Sequence, residues 1–329
     1  MDKTYPIART RRTATLPSGA GDVDGTSAAG FPVVGIGCSA GGLEALEKFL
    51  RNVPADRGMA LVVVQHLDPL HVSALPGLLQ RFTSMTVVEA EDGMAVVPDA
   101  VYVIPPNKDL SLLHGRLHLL EPFAPRGLRL PIDFFLRSLA EDRQERAIGV
   151  ILSGMGSDGV FGLRAIKEKG GLTLVQDPAG AQAESMPRCA IEAGVADIVA
   201  PAEVMPQRIV QYFGHPARML PAEPNLQAEV LSALDQVIIL LRERSGNDFS
   251  LYKSNTLYRR IERRMAVHQL ATMMDYVRFL RSNLQENELL FKELLIGVTS
   301  FFRDPVVWET LLRESISGLL ARNPCGMAL

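Results

Sequence analysis

Phe31-Pro32-Val33-Val34-Gly35-Ile36-Gly37-Cys38-Ser39-Ala40-Gly41-Gly42 is the stretch on which the fold turns. Phe31 to Gly37 reads as a buried strand and Leu43 to Leu50 as the helix after it, so the small residues between them form a tight strand-to-helix turn. Two chemistries suit such a turn. As Gly37-x-Ser39-x-Gly41 it is a nucleophile elbow, in which small neighbours let the serine hydroxyl project beyond the strand and nearby helix-start amides face a developing oxyanion. As Gly35-x-Gly37-x-x-Ala40 it is a dinucleotide fingerprint, the mark of a nucleotide-dependent oxidoreductase. A turn with no chemistry is the third reading.

The next strand, Ala60 to Val64, bears on the choice. A dinucleotide fold places Asp or Glu at its end to grip a ribose. This chain has Gln65-His66 there, and an imidazole serves a serine nucleophile as general base. A histidine capping a strand is common on its own; His66 gains weight because Ser39 ends another strand at the same carboxyl edge, where open parallel sheets bind ligands. A third member would be a carboxylate at that edge. Ser153-Gly154-Met155-Gly156-Ser157-Asp158-Gly159 follows the apolar strand Ala147 to Leu152, and Asp158 in this loop can orient an imidazole. It can equally cap the helix beginning near Val160, and one residue can serve both roles.

Working outward, Val101 to Ile104 and Leu172 to Val175 are further strands, Leu110 to Leu120 a hairpin turning at Gly115, and Ile132 to Ala140 and Val160 to Lys169 helices. This alternation predicts an α/β fold, a doubly wound and mainly parallel sheet with helices on both faces. After Gly214 comes a proline-rich linker. Then Leu226 to Arg244, Asn255 to Val267, Thr272 to Arg281 and Glu286 to Ile296 show helical periodicity alone, predicting a small all-α domain. The 329 residues carry 47% hydrophobic and 22% charged side chains with a net charge of −3, which gives no global pull toward nucleic acid or anionic membrane. Cys38, Cys189 and Cys325 are too scattered for a disulfide framework or a metal site and suit a reducing cytoplasm. No apolar run is long enough for a membrane span, and the first thirty residues, with Arg9, Arg11 and Arg12 but no apolar core behind them, read as a disordered lead-in.

Gly37-Cys38-Ser39-Ala40-Gly41-Gly42, Gln65-His66, Tyr102-Val103-Ile104-Pro105-Pro106, Gly154-Met155-Gly156-Ser157-Asp158-Gly159 and Gln176-Asp177-Pro178 occur in the order seen in CheB-type catalytic domains, and Met186-Pro187 and Gly194-Val195-Ala196-Asp197 continue the pattern. The resemblance covers about residues 31 to 210. It implies hydrolysis of glutamate γ-methyl esters, and deamidation of glutamines, on methyl-accepting chemotaxis receptors. By the same resemblance Ser39, His66 and Asp158 are the triad and Met155 lines the site. Amides near Ala40, Gly41 or Met155 are the candidate oxyanion donors. No metal or cofactor is implied.

The helical unit resembles the amino-terminal domain of CheR-type methyltransferases, through Gly246-Asn247-Asp248-Phe249, Tyr252-Lys253, Leu257 to Met265 and Val298 to Asp304. That resemblance makes Thr299 and Arg303 border an S-adenosylmethionine pocket. No glycine-rich cofactor core follows Arg303, so methyltransferase activity is not expected from this chain alone. The resulting division is a lead-in at 1–30, an esterase domain at 31–213, a linker at 214–225, a helical domain at 226–303 and the start of a methyltransferase domain at 304–329. Within the helical domain Arg259, Arg260, Arg263 and Arg264 share one helical stripe. It reads either as a solvated face or as a dock for an acidic receptor segment; nucleic acid is disfavoured because no stacking aromatics accompany it. A receptor-docking fragment without catalysis is the rival from another functional class.

Overall fold

Every residue of β1 (Val33–Cys38) is buried, as a strand covered on both faces requires. In a computed structural model the described residues are 30–54, 56–66, 74–122, 129–215 and 228–295, with 310, 311 and 313. After β1 come α1 (Gly42–Arg51), β2 (Ala60–Gln65), α2 (Leu75–Leu79), β3 (Thr86–Glu89), β4 (Ala100–Val103) and the strands β5 (Asp109–Leu113) and β6 (Arg116–Leu120). The second half of the unit holds α3 (Pro131–Arg143), β7 (Ala147–Ile151), α4 (Val160–Glu168), β8 (Leu172–Gln176), α5 (Ser185–Glu192), β9 (Ile198–Ala200) and α6 (Met205–Phe213).

Seven strands pair in parallel in the order β3-β4-β2-β1-β7-β8-β9. The pair β5–β6 is an antiparallel hairpin, turning at His114-Gly115 as the sequence predicts. α2, β3, β9, α5 and α6 are the helices and strands that sequence reading did not foresee. β3 and β9 are the sheet's edge strands, only four and three residues long, too short to show a period.

Alternation along β1 sorts its side chains between two cores. Val34, Ile36 and Cys38 meet Leu46 and Phe49 of α1 and Ile209 and Tyr212 of α6. Val33 faces the other way, toward Phe135, Leu136 and Leu139 of α3, Leu163 and Ile166 of α4 and Met186 of α5. On that face the next two residues are glycines because α3 lies directly on them. A Cβ at Gly35 would stand 2.6 Å from Leu136 Cδ2, and one at Gly37 2.4 Å from Ile132 Cγ2. Both glycines lie inside the strand and serve helix packing, whereas a dinucleotide fold needs them in the phosphate turn. The oxidoreductase reading loses its motif here.

The helical unit comprises α7 (Ala228–Ser245), α8 (Ser254–His268), α9 (Met273–Ser282) and α10 (Leu284–Leu295) around Leu234, Val237, Leu257, Ile261, Tyr276 and Leu290. Thr272 caps α9, its Oγ1 accepting from Asp275 N at 3.1 Å. Among the described residues no helix is long and apolar enough to cross a membrane. Most of the linker reading at 214–225 and the lead-in reading lie outside the described residues.

The basic stripe on α8 needs a correction. Arg259 is exposed and Arg260 half-buried, but Arg263 and Arg264 are buried at 4% and 0% exposure. The stripe runs along the helix from solvent into the contact with the sheet unit, where Ala266 and Val267 join the α1–α6 core. Arg263 donates to Gly171 O and pairs with Asp197 and Glu293; Arg264 pairs with Glu286 at 2.6 Å and Asp197 at 3.1 Å. Lys167 of α4 reaches Asp197 from the other side at 2.7 Å. Three cations thus meet three carboxylates in a closed cluster, and neither Arg263 nor Arg264 is available to an external partner. Burial pushes the Asp197 carboxyl up, but Arg263, Lys167 and Arg264 outweigh it and hold it well below the usual range.

Removing one member of such a cluster strands the others in low dielectric. Asp197→Ala is expected to destabilise the intact chain by about 3–5 kcal/mol, read as a lower urea midpoint. A midpoint within error of the parent would show that the cluster does not join the two units.

Candidate active site

The carboxyl ends of three adjacent strands, β2, β1 and β7, supply Gln65-His66, Cys38-Ser39 and the loop 152–159. From β1 the chain proceeds to β2 on one side, and β7 lies on the other. The crevice above β1 is therefore a topological switch point. It opens into a cavity of 680 Å³ lined by Ser39, Ala40, Gly41, Leu43, His66 and Gln182, among others.

His66 bridges the other two members. Its Nδ1 lies 3.2 Å from Ser39 Oγ and its Nε2 3.0 Å from Asp158 Oδ2. Asp158 is 3% exposed and sits on the amino-terminal turn of α3. Its Oδ2 also accepts from Ile132 N at 3.0 Å and its Oδ1 from Asp133 N at 2.9 Å. Pro131 opens that helix, leaving the amides of Ile132 and Asp133 without helical acceptors and aimed at the carboxylate. This carboxylate faces Nε2 and orients the ring so that Nδ1 is turned toward the serine.

Ser153 ties the loop to the nucleophile turn. Its carbonyl accepts from Ser39 N at 3.0 Å, and its hydroxyl donates to Ala40 O at 2.8 Å. Gln176 at the end of β8 accepts from Ser153 N at 2.8 Å. Gly154 is pressed against the nucleophile: a Cβ there would be 2.1 Å from Met186 Sδ and 3.1 Å from Ser39 Cβ. The amides of Ser39, Gly42, Ser153 and Gly154 are all engaged, to Ser153 O, Ser39 O, Gln176 Oε1 and Ala183 O. Among the described residues, the amides of Ala40, Gly41 and Met155 remain candidate oxyanion donors. Gly41 adopts φ +70°, and Met155 projects its side chain into solvent at 67% exposure. Burial pushes the adjacent Cys38 thiol up to about 12, so that sulfur stays protonated and the serine is the candidate nucleophile.

Thr299 and Arg303 lie outside the described residues. Sequence reasoning missed Asp133, Ser153, Gln176 and Gln182. Gln182 overhangs Gly41 and donates to Glu44 Oε2 at 2.5 Å. Of the four, Asp133 carried a signal, an acid two residues after Pro131 at a helix start. Asp133 Oδ1 caps α4 through Gly162 N at 2.6 Å, while its Oδ2 is buried with no partner. Among the described residues no His, Cys, Asp and Glu cluster is arranged to hold a metal ion.

A family model described as CheB methylesterase matches residues 34–209, and one described as CheR methyltransferase, all-alpha domain, matches residues 232–295. A Rhodobacter capsulatus protein titled "Uncharacterized 104.1 kDa protein in hypE 3'region" is 35% identical over 276 residues, 78% of this chain and 29% of that protein. The protein-glutamate methylesterase/protein-glutamine glutaminase of Moorella thermoacetica is 37% identical over 186 residues, 55% of this chain and 44% of its own. The chain therefore spans less than half the length of either relative. Among solved structures, the Thermotoga maritima CheB methylesterase catalytic domain matches with a TM-score of 0.51 and 34% identity, over 55% of this chain and 97% of that one.

Burial, with the Asp158 charge adding to it and the Gly162 amide opposing it, raises the Asp133 carboxyl to about 6. A folded value above the unfolded one favours the native state at low pH, and that contribution is lost as pH rises through about 6. Asp133→Asn keeps the oxygen that caps α4 and removes the charge. Relative to the parent, its unfolding free energy should gain about 2 kcal/mol between pH 4 and pH 8, measured by urea denaturation. A pH-independent difference would contradict the assignment.

Proposed function

The chain belongs to the CheB methylesterase family, and from that membership and the geometry at Ser39 we propose that it hydrolyses glutamate γ-methyl esters on methyl-accepting chemotaxis-type receptors. The observation that carries this reading is the continuous chain of hydrogen-bond contacts from Ser39 Oγ through His66 to Asp158. Ser39 Oγ attacks the ester carbonyl as His66 Nδ1 takes its proton, and the imidazolium is stabilised through Nε2–H by Asp158. The tetrahedral oxyanion is held by the amides of Ala40 or Gly41 and Met155. Collapse expels methanol, which receives the proton from Nδ1. Water, activated by the same nitrogen, then attacks the acyl-enzyme and releases the free carboxylate and the serine. A glutamine carboxamide enters the same cycle with ammonia as leaving group.

The open cavity supports a substrate presented on a protein surface. The His66 side chain is 35% exposed, so an incoming side chain can reach the imidazole. The reading places the chain in the cytoplasm, consistent with Cys38 and Cys189 as free thiols.

Methanol release from a methylated receptor fragment tests the proposal. Ser39→Ala should abolish it, and Asp158→Asn should lower kcat by roughly 10³- to 10⁴-fold while the chain stays folded by circular dichroism. Release that persists undiminished in the Ser39→Ala chain would remove the serine from the mechanism.

A further inference from the structure

Two helices of the sheet unit present the same pair of side chains to solvent. Phe134-Phe135-Leu136-Arg137 in α3 and Phe161-Gly162-Leu163-Arg164 in α4 each bury their third residue in the shared core and expose the first and fourth. Phe134 is 43% and Phe161 58% exposed, and the Arg164 guanidinium lies 5.7 Å above the Phe161 ring. The two helices are neighbours on one face of the sheet and lie close together, because Gly162 sits where a Cβ would be 2.5 Å from Leu136 Cβ. Exposed phenylalanines on two adjacent helices of a folded unit call for an explanation, since large apolar side chains gathered on a surface usually mark an interaction site.

This face borders the catalytic crevice. Phe134 follows Asp133, whose amide holds Asp158, and Phe161 lies three residues beyond Asp158 itself. Leu130 and Met155, 46% and 67% exposed, carry the apolar character toward the triad. The helical unit does not cover it, because α8 packs on the opposite core with α1 and α6. Among the described residues Arg137 and Arg164 take part in no ion pair with a carboxylate. Two cations beside two aromatic rings suit a partner that offers both an apolar stripe and negative charge at helical spacing.

We propose that the outer face of α3 and α4 is the substrate dock of this enzyme, and that its occupant is an acidic amphipathic helix of the protein carrying the ester. Phe134 and Phe161 receive the apolar stripe, and Arg137 and Arg164 pair with carboxylates one turn along. The proposal rests on the methylesterase reading and deepens it. The dock, rather than the open cavity, would then select the protein. It also supplies the acidic-segment recognition that the buried Arg263 and Arg264 do not provide.

The test compares two substrates on the full chain: a methylated receptor fragment and N-acetyl-glutamate γ-methyl ester amide, which is too small to reach the helices. Phe134→Ala/Phe161→Ala should raise KM for the fragment roughly tenfold or more and leave kcat/KM for the small ester unchanged. Arg137→Glu/Arg164→Glu should do the same and also flatten the salt dependence of the fragment's KM. An unchanged KM for the fragment overturns the dock, and so does an equal loss on both substrates, which would report a distorted fold. Should the parent chain hydrolyse neither, the methylesterase reading falls and the dock is judged by binding. Fluorescence anisotropy of the labelled fragment with the parent and the double-alanine chain then decides: weaker binding by the variant upholds the dock, and equal binding ends it.

Discussion

The close seating of α3 on β1 is the constraint from which the site follows. Two glycines inside the central strand remove the side chains that would hold the helix off, so its first turn arrives level with the sheet's carboxyl edge. There the amides of Ile132 and Asp133 meet the carboxylate of Asp158, and the carboxylate in turn orients His66. Filling Gly35 or Gly37 would move the helix, and with it the seat of the acid, although neither glycine touches a reacting atom. Electrostatics and packing are inseparable at this point. The helix start supplies positive potential, and its position supplies the aim.

A second polar arrangement, at Asp197, follows different rules. The Asp158 carboxylate is held by two backbone amides and faces one partly exposed imidazole, a setting that suits a group orienting a proposed base. Asp197 is surrounded by Lys167, Arg263 and Arg264 with its side chain fully buried. Its proton affinity is suppressed and its geometry is over-determined, which suits a fastener better than a catalyst. Asp197 shows why a buried, perturbed carboxylate is not in itself a sign of chemistry. What distinguishes Asp158 is an open crevice and a hydroxyl within reach of the group it orients.

Much of the sheet unit was legible from local pattern. Strands such as Ala60 to Gln65 are unbroken apolar runs, and Ser39 and His66 stand at strand ends, where parallel topology brings functional groups together. Asp158 was legible because glycines around one acid mark an exposed loop. The fate of Arg263 and Arg264 was not. On a helical wheel they align with Arg259 and Arg260, and only the approach of Gly171 and Asp197, 92 and 67 residues away, turns part of that stripe inward. Ser153 and Gln176 escaped notice for a similar reason, since their side chains bond to backbone groups brought near only by the fold. The dinucleotide reading failed for a geometric reason: Gly35 and Gly37 precede the turn and never reach it.

The triad draws one member from each of three neighbouring strands, separated by 27 residues between Ser39 and His66 and 92 between His66 and Asp158. Contacts so distant along the chain close late in folding, after the intervening loop entropy has been overcome. A nascent or half-folded chain therefore exposes Ser39 as an ordinary alcohol, without the base that would make it reactive. In the proposed mechanism nucleophilicity arises only when β2, β1 and β7 are laid side by side, so the appearance of the proposed hydrolysis during refolding would also be a clock for completion of the central sheet.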